Sequence, residues 1–285
     1  MVLRVSPNRR YHFSPLRYPG GKTSLYPLIS DLLEKNKNGD MTYIEPYAGG
    51  SGTALALLMM EKVSNIIIND YDKAIYSFWK SILNNTDRFI NKINSIDVSI
   101  KEWGKQRRIY ENSKSEFSLG FATFFLNRTN YSGVITARPI GGFEQKGQWK
   151  IDARFNKRNL IERIERISYF KNRIKVHNED GLKLINKFSR RNDVFVYLDP
   201  PYYVKGGELY LNSYEHADHV ALSKSLKSKK TMQWLLTYDN VSEINTMYKG
   251  QNIVPFEINY SANKTCRGKE VMVFSKSMET PRYIR

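Results

Sequence analysis

A short apolar strand that runs into a glycine-rich turn and then into an apolar helix constrains the fold of this chain most. The segment TYIEPYAGGSGTALALL, residues 42–58, has this pattern. Gly49, Gly50 and Gly52 let the backbone turn tightly and let a ligand approach it closely. The segment therefore predicts the first β-turn-α unit of a doubly wound α/β sheet.

A second predicted strand, Ile66 to Ile68, ends close to an acid. Asp70 lies about 20 residues beyond the glycines, where an acid can hold ribose hydroxyls. A helix is predicted next, with large apolar side chains on one face: Ile75, Phe78, Trp79 and Ile82. Nicotinamide enzymes share this turn and acid, and the strict GxGxxG is absent. The pattern predicts a ribose-bearing cofactor without identifying it.

The chemistry is most readable where another apolar run stops, in VYLDPPYY. Val194 to Leu198 reads as a buried strand, which two prolines end. Asp199 can accept a hydrogen bond from an exocyclic amine, and the Pro200 carbonyl can accept a second. Tyr202 offers a face on which a planar base can stack, worth about 1–3 kcal/mol. The segment predicts methylation of a nucleobase amine mainly by positioning; a rigid turn after a core strand is the alternative.

The N-terminal segment SPLRYPGGKTSLYPLI, residues 14–29, contains a Gly-Gly turn. Gly21-Lys22-Thr23 resembles a phosphate-binding P-loop, but Leu16 occupies the place of its first glycine and no apolar strand precedes it. We predict instead that the turn presents Tyr18 and Lys22 to the edge of the cofactor site. A simple loop into a helix that starts near Thr23 is the alternative.

With these segments in this order, the chain resembles the Dam-type adenine-N6 DNA methyltransferases, which use S-adenosylmethionine. The resemblance runs from about Ser14 to Phe274 and rests on SPLRYPGGK, EPYAGGSG, the acid of INDYD, FFLNRTNYSG and LDPPYY. Ser51 departs from it, because family members often have glycine there. The resemblance implies that Asp199, Pro200 and Tyr202 hold a flipped adenine. It also implies a set of cofactor-binding residues: Tyr18, Lys22, Gly49, Asp70 and Asp199.

The resemblance further implies an α/β, Rossmann-like S-adenosylmethionine-dependent methyltransferase fold with an inserted, mostly helical target-recognition domain. We predict a catalytic domain of residues 1–83 and 165–285 and a recognition domain of residues 84–164. RIKVHNEDGLKLI, residues 173–185, predicts a strand, a turn and a helix, with Asp180 either accepting from the cofactor's adenine or capping the helix. Later apolar runs predict further strands at residues 234–237, 253–256 and 271–274, the last two as a hairpin with a basic turn near residues 263–268.

Within the predicted insert, Asn127, Arg128, Asn130, Tyr131 and Ser132 resemble the family's DNA-contacting segment. Arginine and asparagine can make bidentate hydrogen bonds to base edges, and Tyr131 can wedge into the stack left by a flipped base. The alternative for Arg128 is that it braces the fold, over a core that includes Phe121, Phe124, Phe125 and Leu126. Thr136 occupies the place where GATC-methylating relatives usually carry an arginine. The DNA sequence that this chain recognises therefore cannot be carried over from the GATC-methylating relatives.

Composition supports a polyanionic partner. The chain has 45 Lys and Arg against 28 Asp and Glu, a net charge of +17 and a pI near 9.7. Double-stranded DNA is the predicted partner, and no apolar stretch is long enough to predict a membrane span. One cysteine and the lack of a signal peptide predict a cytoplasmic location. We expect Cys266 to be structural and no metal to be required.

The sequence therefore predicts a site-specific DNA adenine-N6 methyltransferase that transfers a methyl group from S-adenosylmethionine to a flipped adenine in double-stranded DNA. The same amine chemistry leaves open RNA adenine or cytosine N4 as the target. A catalytically inactive DNA-binding relative is the alternative outside enzymes. A companion restriction endonuclease is not readable from the sequence.

Overall fold

The computed structural model describes residues 3–5, 12–18, 20–36, 39–204, 214–261 and 265–284. These residues form two compact units. The first takes its residues from 1–12, 22–71 and 173–285, and the second from 13–21 and 72–172. Each unit is thus assembled from separated parts of the chain, and the backbone passes from one unit to the other several times.

The first unit contains a single described sheet of eight strands in the order β1-β7-β8-β6-β5-β2-β3-β4. Five neighbouring pairs are parallel, and β8 runs antiparallel to both β6 and β7. The strands are β1 (Leu3–Val5), β2 (Thr42–Glu45), β3 (Asn65–Asn69), β4 (Ile174–His177), β5 (Val194–Leu198), β6 (Gln233–Asp239), β7 (Asn252–Ser261) and β8 (Thr265–Phe274).

The central strands form because their residues can be buried on both faces. Every residue of β2 and β5 is buried, as expected for the middle of a parallel region. The predicted strand Val194–Leu198 is confirmed at both ends, and the strands predicted near residues 66–68, 174–177, 234–237, 253–256 and 271–274 are confirmed as well. Of the basic turn predicted near residues 263–268, residues 263 and 264 lie outside the described residues, whereas residues 265–268 are not a turn but the first part of β8.

The order of the strands along the sheet reverses between the adjacent strands β2 and β5. On one side of β2 the sheet continues to β3 and β4, whereas on the other side β5 leads to β6. In open α/β sheets such a switch leaves a crevice outside the carboxyl ends of the strands, where ligands bind. The residues that follow Glu45 and Leu198 therefore lie at the most favourable place in the sheet for a site.

The described helices cover both units, with α3 to α7 in the second. A 3-10 turn, Thr23–Leu25, precedes α1, close to the helix start predicted near Thr23. The helices are α1 (Tyr26–Asn36), α2 (Gly52–Met59), α3 (Lys73–Asn84), α4 (Thr86–Ser95), α5 (Ile100–Asn112), α6 (Glu116–Thr129), α7 (Lys157–Tyr169), α8 (Gly181–Phe188), α9 (His216–Ser228) and α10 (Ser242–Met247). None of them combines the length and apolar character that crossing a membrane requires.

The second unit is built around the close packing of α3 on α6. A Cβ added at Gly120 would lie 2.3 Å from the carbonyl oxygen of Ser77, so only glycine allows this approach. Phe78 stacks on Phe124 with ring centroids 5.9 Å apart. The apolar face predicted for α3 and the predicted phenylalanine core of α6 are both buried.

The structural division differs from the boundaries predicted for the functional domains. Residues 13–21, 72–83 and 165–172 lie in the second unit, whereas the sequence placed them with the catalytic part. Helix α3 buries its apolar face within the second unit. The assignment of catalysis and target recognition to separate domains stays a prediction.

Candidate functional site

The glycine turn after β2 is held by a buried carboxyl group. Glu45 ends β2 and accepts a hydrogen bond from the backbone nitrogen of Ala54, in the first turn of α2, at 3.1 Å. Burial raises the pKa of Glu45 to about 8. Ser51, before α2, has a left-handed backbone with φ of 46°. The turn between strand and helix is thus fixed from both ends.

The glycine turn contacts the acid that follows β3. Gly49, with φ of 45°, donates its backbone N–H to Oδ2 of Asp70 at 2.8 Å. The side chain of Asn178 donates to the Asp70 carbonyl at 2.7 Å, so the acid is also held through its backbone. A carboxylate beside a tight glycine turn at strand ends suits ribose hydroxyls, and these residues therefore fit a ribose-bearing cofactor.

Of the two roles left open for Asp180, the structure has the helix cap. Its side chain accepts from the backbone nitrogen of Lys183 at 3.0 Å, at the start of α8. The next residue, Gly181, leaves space for Tyr47 of the glycine turn, because a Cβ there would lie 2.6 Å from the tyrosine ring. Asp180 thereby supports α8 beside the turn.

Asp199 follows β5 and has both carboxylate oxygens engaged. Oδ1 accepts from the hydroxyl of Thr237 at 2.8 Å, and Oδ2 lies 3.2 Å from Nζ of Lys22. The hydroxyl of Thr237 is also 2.9 Å from that of Tyr197. The carboxylate is therefore oriented by partners from two other segments of the chain, yet its side chain is still 19% exposed.

Lys22 is the centre of a buried polar group. Its side chain is only 2% exposed, and its ammonium group donates to the hydroxyl of Tyr202 at 2.6 Å. The same nitrogen lies 3.7 Å from Oε1 of Glu270. We call Lys22, Asp199, Tyr202 and Glu270 the Lys22 cluster. Sequence reasoning named three of its members but not their mutual contacts.

Glu270 is the member that sequence reasoning missed. It lies within β8 and accepts from the hydroxyl of Tyr202 at 2.6 Å. Burial raises the pKa of Glu270 to about 7, against the opposing effect of Lys22. The signal in the sequence is an acid directly before the buried run Val271–Phe274. An acid at such a position needs a partner that only the fold supplies.

The backbone around the tetrapeptide is also held in place. Asp239, at the end of β6, accepts from the backbone nitrogens of Tyr203 and Val204, each at 3.0 Å. Pro200 is buried, and no hydrogen bond to its carbonyl is formed by the described residues. Burial raises the pKa of Tyr202, so its hydroxyl remains a donor to Glu270 at neutral pH.

In the second unit, Asn127 has a structural position. It is 1% exposed; its Oδ1 accepts from the Arg17 backbone nitrogen at 2.7 Å and its Nδ2 donates to the Arg17 carbonyl at 2.8 Å. Nδ2 also donates to the Gly133 carbonyl at 2.8 Å. The amide therefore anchors the N-terminal segment to α6, and a direct contact with DNA stays a prediction that this geometry does not favour.

Tyr131 and Ser132 lie in a short strained turn after α6. Ser132 has a left-handed backbone with φ of 55°. The Tyr131 ring lies 5.4 Å from the guanidinium of Arg138, and its hydroxyl accepts from the backbone nitrogen of Gly141 at 3.3 Å. Both side chains are partly exposed. Their predicted contact with DNA is compatible with these positions and stays a prediction.

Arg128 belongs to a group of arginines that sequence reasoning did not assemble. Its Nε donates to the Arg154 carbonyl at 2.7 Å. Burial lowers the pKa of Arg128 to about 9, and repulsion from Arg17, Arg163 and Arg154 adds to this effect. Arg163 donates to the Ser14 carbonyl at 2.7 Å. We call these four residues the arginine cluster.

The arginine cluster carries an unbalanced positive charge. Within the described part of the chain, no ion pair joins Arg17, Arg128, Arg154 or Arg163 to a carboxylate. Guanidinium groups that repel one another bind anions favourably, and phosphate accepts two parallel hydrogen bonds from an arginine. Arg128 thus braces the fold through Arg154, and its contact with DNA stays a prediction.

No group of His, Cys, Asp and Glu side chains in the described ranges is arranged to hold a metal ion. His219, for example, is buried and its Nδ1 lies 2.7 Å from the Tyr238 hydroxyl. His216 and His219 both lie within α9, and the ring of Tyr203 contacts each of them. The polar centre described above consists of carboxylates, one lysine and tyrosine hydroxyls.

Comparison with known proteins places these motifs in a family. A family model described as D12 class N6 adenine-specific DNA methyltransferase matches residues 18–262. Type II methyltransferase M.MjaIII of Methanocaldococcus jannaschii is 27% identical over 84% of this chain and 88% of that protein. Type II methyltransferase M.CviBI of Paramecium bursaria Chlorella virus NC1A is 25% identical over 86% of this chain and 90% of that protein.

Among solved structures, a putative RNA methyltransferase PH1948 from Pyrococcus horikoshii is similar over 100% of this chain and 93% of that one, with a TM-score of 0.41 and 12% identity. The family match covers the glycine turn, the acid after β3, the segment after α6 and the tetrapeptide after β5. The match therefore includes Lys22, Asp199 and Tyr202 of the Lys22 cluster but ends before Glu270.

Proposed function

The chain belongs to the D12 class of N6 adenine-specific DNA methyltransferases, and on this basis we propose that Asp199, Pro200 and Tyr202 carry out methyl transfer to adenine N6. The protein is an S-adenosylmethionine-dependent enzyme acting on DNA. The observation that carries the assignment of residues is the fixed orientation of Asp199, bound by Thr237 at 2.8 Å and by Lys22 at 3.2 Å.

The chemistry requires orientation more than a strong base. The exocyclic amine of adenine is a weak nucleophile because its lone pair is delocalised into the ring. A carboxylate that is already oriented can accept from this amine and hold it on the line of attack, and good alignment supplies effective molarities of about 10⁵–10⁸ M. Asp199 can do so because part of its side chain remains exposed.

Pro200 and Tyr202 complete the proposed hold on the base. The Pro200 carbonyl accepts a second hydrogen from the amine, since proline retains its acceptor. Tyr202 provides a ring for stacking while its hydroxyl is tied to Lys22 and Glu270. Moving the base out of the duplex costs a few kcal/mol, and these contacts offset that cost.

S-adenosylmethionine supplies an electrophilic methyl group when it is bound. We propose that Gly49 and Asp70 hold its ribose, and that Lys22 and Asp199 lie along the edge of its site. The support is the hydrogen bond between Gly49 and Asp70 at the carboxyl ends of neighbouring strands. Tyr18, in the second unit, remains a cofactor contact predicted from the sequence alone.

For DNA we propose that Arg128, Tyr131 and Ser132 contribute contacts from the second unit, with Asn127 acting through the segment it anchors. The net charge of +17 and the arginine cluster support a surface that follows phosphates. Because the relatives are named Type II methyltransferases, we also propose a partner endonuclease of the same specificity. The enzyme would then act in the compartment of its DNA, the cytoplasm.

The experiment that tests these assignments compares wild type with Asp199→Ala in cells. Their DNA is sequenced by a single-molecule method that detects modified bases. We expect methylated adenine within one short motif in the wild type and none in the variant. Methylated cytosine, or methylation of RNA only, would favour the other amine substrates, and cofactor-independent DNA binding without product would favour a binding protein.

A further inference from the structure

Glu270 occupies a place where a strand would ordinarily have an apolar side chain. In β8 it is paired with Asp239 of β6 on one side and Phe256 of β7 on the other. Its side chain is 2% exposed, and the following residues are buried and apolar. A carboxylate in such a position is costly, because burying a charge is unfavourable unless it is paired and hydrogen-bonded.

Only one of the two carboxylate oxygens of Glu270 has a partner among the described residues. Oε1 accepts from the Tyr202 hydroxyl at 2.6 Å and lies 3.7 Å from Nζ of Lys22. Oε2 is buried and has no hydrogen-bond partner among the described residues. A well-packed apolar residue would avoid this loss, so the pairing alone does not explain an acid at this position.

We propose that Glu270 is a positioning residue for methyl transfer, which acts by holding Tyr202 and by sharing the charge of Lys22 with Asp199. The inference rests on the function proposed above and deepens it. Lys22 donates to Tyr202 and lies between the two carboxylates. Because the positive charge of Lys22 is shared by two carboxylates, Lys22 orients Asp199 and still leaves Asp199 able to accept a hydrogen bond from the target amine.

The charge of the Lys22 cluster shows what loss of Glu270 changes. With both carboxylates ionised, one lysine faces two negative charges. Without Glu270, Lys22 pairs with Asp199 alone, and the Tyr202 hydroxyl loses its acceptor. The lysine then competes with the incoming amine for Asp199, and the ring of Tyr202 is free to move away from the stacking position.

Protonation of Glu270 removes its negative charge from Lys22, although the neutral carboxyl group can still accept from Tyr202. The titratable groups that face it are Lys22, Asp199 and Tyr202, while Asp239 on β6 is bound by the backbone of the following loop. Phe256 on β7 does not titrate. Burial places the pKa of Glu270 at about 7, so the carboxylate ionises as the pH rises through neutrality. The rate of methyl transfer is expected to rise over the same range.

The test compares wild type with Glu270→Gln, in which the amide oxygen can still accept from Tyr202 but the charge is gone. Single-turnover methylation of an oligonucleotide with the cellular target motif is measured from pH 6 to 9. We expect the rate constant to fall about 10- to 100-fold, because the hydrogen bond from Tyr202 loses its charged acceptor and Lys22 then pairs with Asp199 alone. The Michaelis constants for DNA and cofactor should remain within about 2-fold of wild type.

The pH profile separates positioning from a structural role. In wild type the rate should rise with an apparent pKa of about 7, and this rise should vanish in Glu270→Gln. Glu270→Ala is a second variant, and Glu243→Gln, at an exposed position of α10, is the charge control. Thermal unfolding of each protein shows whether the fold is retained. A wild-type rate and pH profile in Glu270→Gln would overturn the inference.

The two proposals fail in different ways. If wild type methylates no DNA adenine under these conditions, the proposed function is wrong. If wild type methylates DNA and Asp199→Asn does not, but Glu270→Gln behaves as wild type, only the role of Glu270 is wrong. If Glu270→Gln has reduced activity solely because the protein unfolds, its thermal midpoint falls and the residual folded fraction retains the wild-type pH profile, which also contradicts positioning.

Discussion

Lys22 and Tyr202 are 180 positions apart in the sequence and are joined by a hydrogen bond of 2.6 Å. This bond brings together the N-terminal PGGK segment and the tetrapeptide after β5. The same lysine reaches Asp199, so one buried cation organises both proposed catalytic side chains. The chemistry of the site therefore depends on Lys22 even though lysine itself need not touch the base.

Asp199→Asn should abolish methyl transfer while keeping the fold. The amide has the shape of the carboxylate but cannot form an ion pair with Lys22 or accept at both positions. We expect the single-turnover rate to fall at least about 100-fold, because two hydrogen bonds to a charged group are weakened. Asp193→Asn, an exposed carboxylate before β5 that pairs with Arg191, is the control and should retain activity. Equal rates for Asp199→Asn and wild type would refute the role of Asp199.

Asn127→Ala should destabilise the protein rather than change its sequence preference. The substitution removes three hydrogen bonds from a residue that is 1% exposed, each worth about 1 kcal/mol net. We expect urea unfolding to show a loss of about 2–4 kcal/mol on this account. If stability is unchanged and preference among DNA motifs is altered, the direct contact predicted from the sequence is correct instead.

Arg154→Gln should weaken DNA binding and reduce its dependence on salt. The Arg154 side chain is exposed and belongs to the arginine cluster, and each phosphate contact contributes about 0.9 to the slope of log K against log salt. Affinity for a duplex is measured between 50 and 200 mM salt. Over this interval the affinity of a strongly charged interface falls by about 1,000-fold or more. Arg158→Gln, whose partner is Glu162, is the matched control. Identical slopes for the two variants would show that the cluster does not bind phosphate.

Folding stability should fall as the pH rises from about 5 to 8. The pKa of Glu45 is raised from 4.5 to about 8 and that of Glu270 from 4.5 to about 7. The folded chain therefore retains protons that the unfolded chain releases, and each such group costs at most about 1.4 kcal/mol per pH unit in that window. Glu45→Gln removes one of the two groups and should flatten the profile. Denaturant unfolding at several pH values checks this, and a profile as steep as wild type would contradict it.

Ser51→Gly should stabilise the protein slightly. Ser51 has φ of 46°, a left-handed conformation that costs roughly 1–2 kcal/mol for residues other than glycine. The greater flexibility of glycine in the unfolded chain offsets part of this gain. We expect a rise in thermal midpoint with cofactor affinity retained. A fall in the midpoint would mean that the serine hydroxyl contributes more than the strain it bears.

Sequence patterns predicted the sheet well because its strands depend on local properties. Continuous apolar runs such as Val194–Leu198 can only be buried on both faces, and they end where proline or glycine follows. The pairing of Gly49 with Asp70 was also predictable, since parallel neighbouring strands bring their carboxyl ends together. These features require no knowledge of distant contacts.

The Lys22 cluster was not predictable in the same way. Glu270 lies in an apolar strand, and nothing near it in the sequence shows that its partners are Tyr202 and Lys22. The surroundings of Asn127 were not predictable for a related reason, because its burial and its hydrogen bonds to Arg17 come from contacts distant in the sequence. Long-range pairing decides whether such a polar side chain faces a ligand or the backbone.

The order of the Lys22 cluster along the chain has a consequence for synthesis. Lys22 leaves the ribosome early, whereas Glu270 must still be translated before the pairing of β8 with β6 and β7 can form. A nascent chain can therefore fold much of its helical second unit before the Lys22 cluster forms. The proposed catalytic arrangement can form only after β8 has been translated, so fragments that end before Glu270 should not methylate DNA.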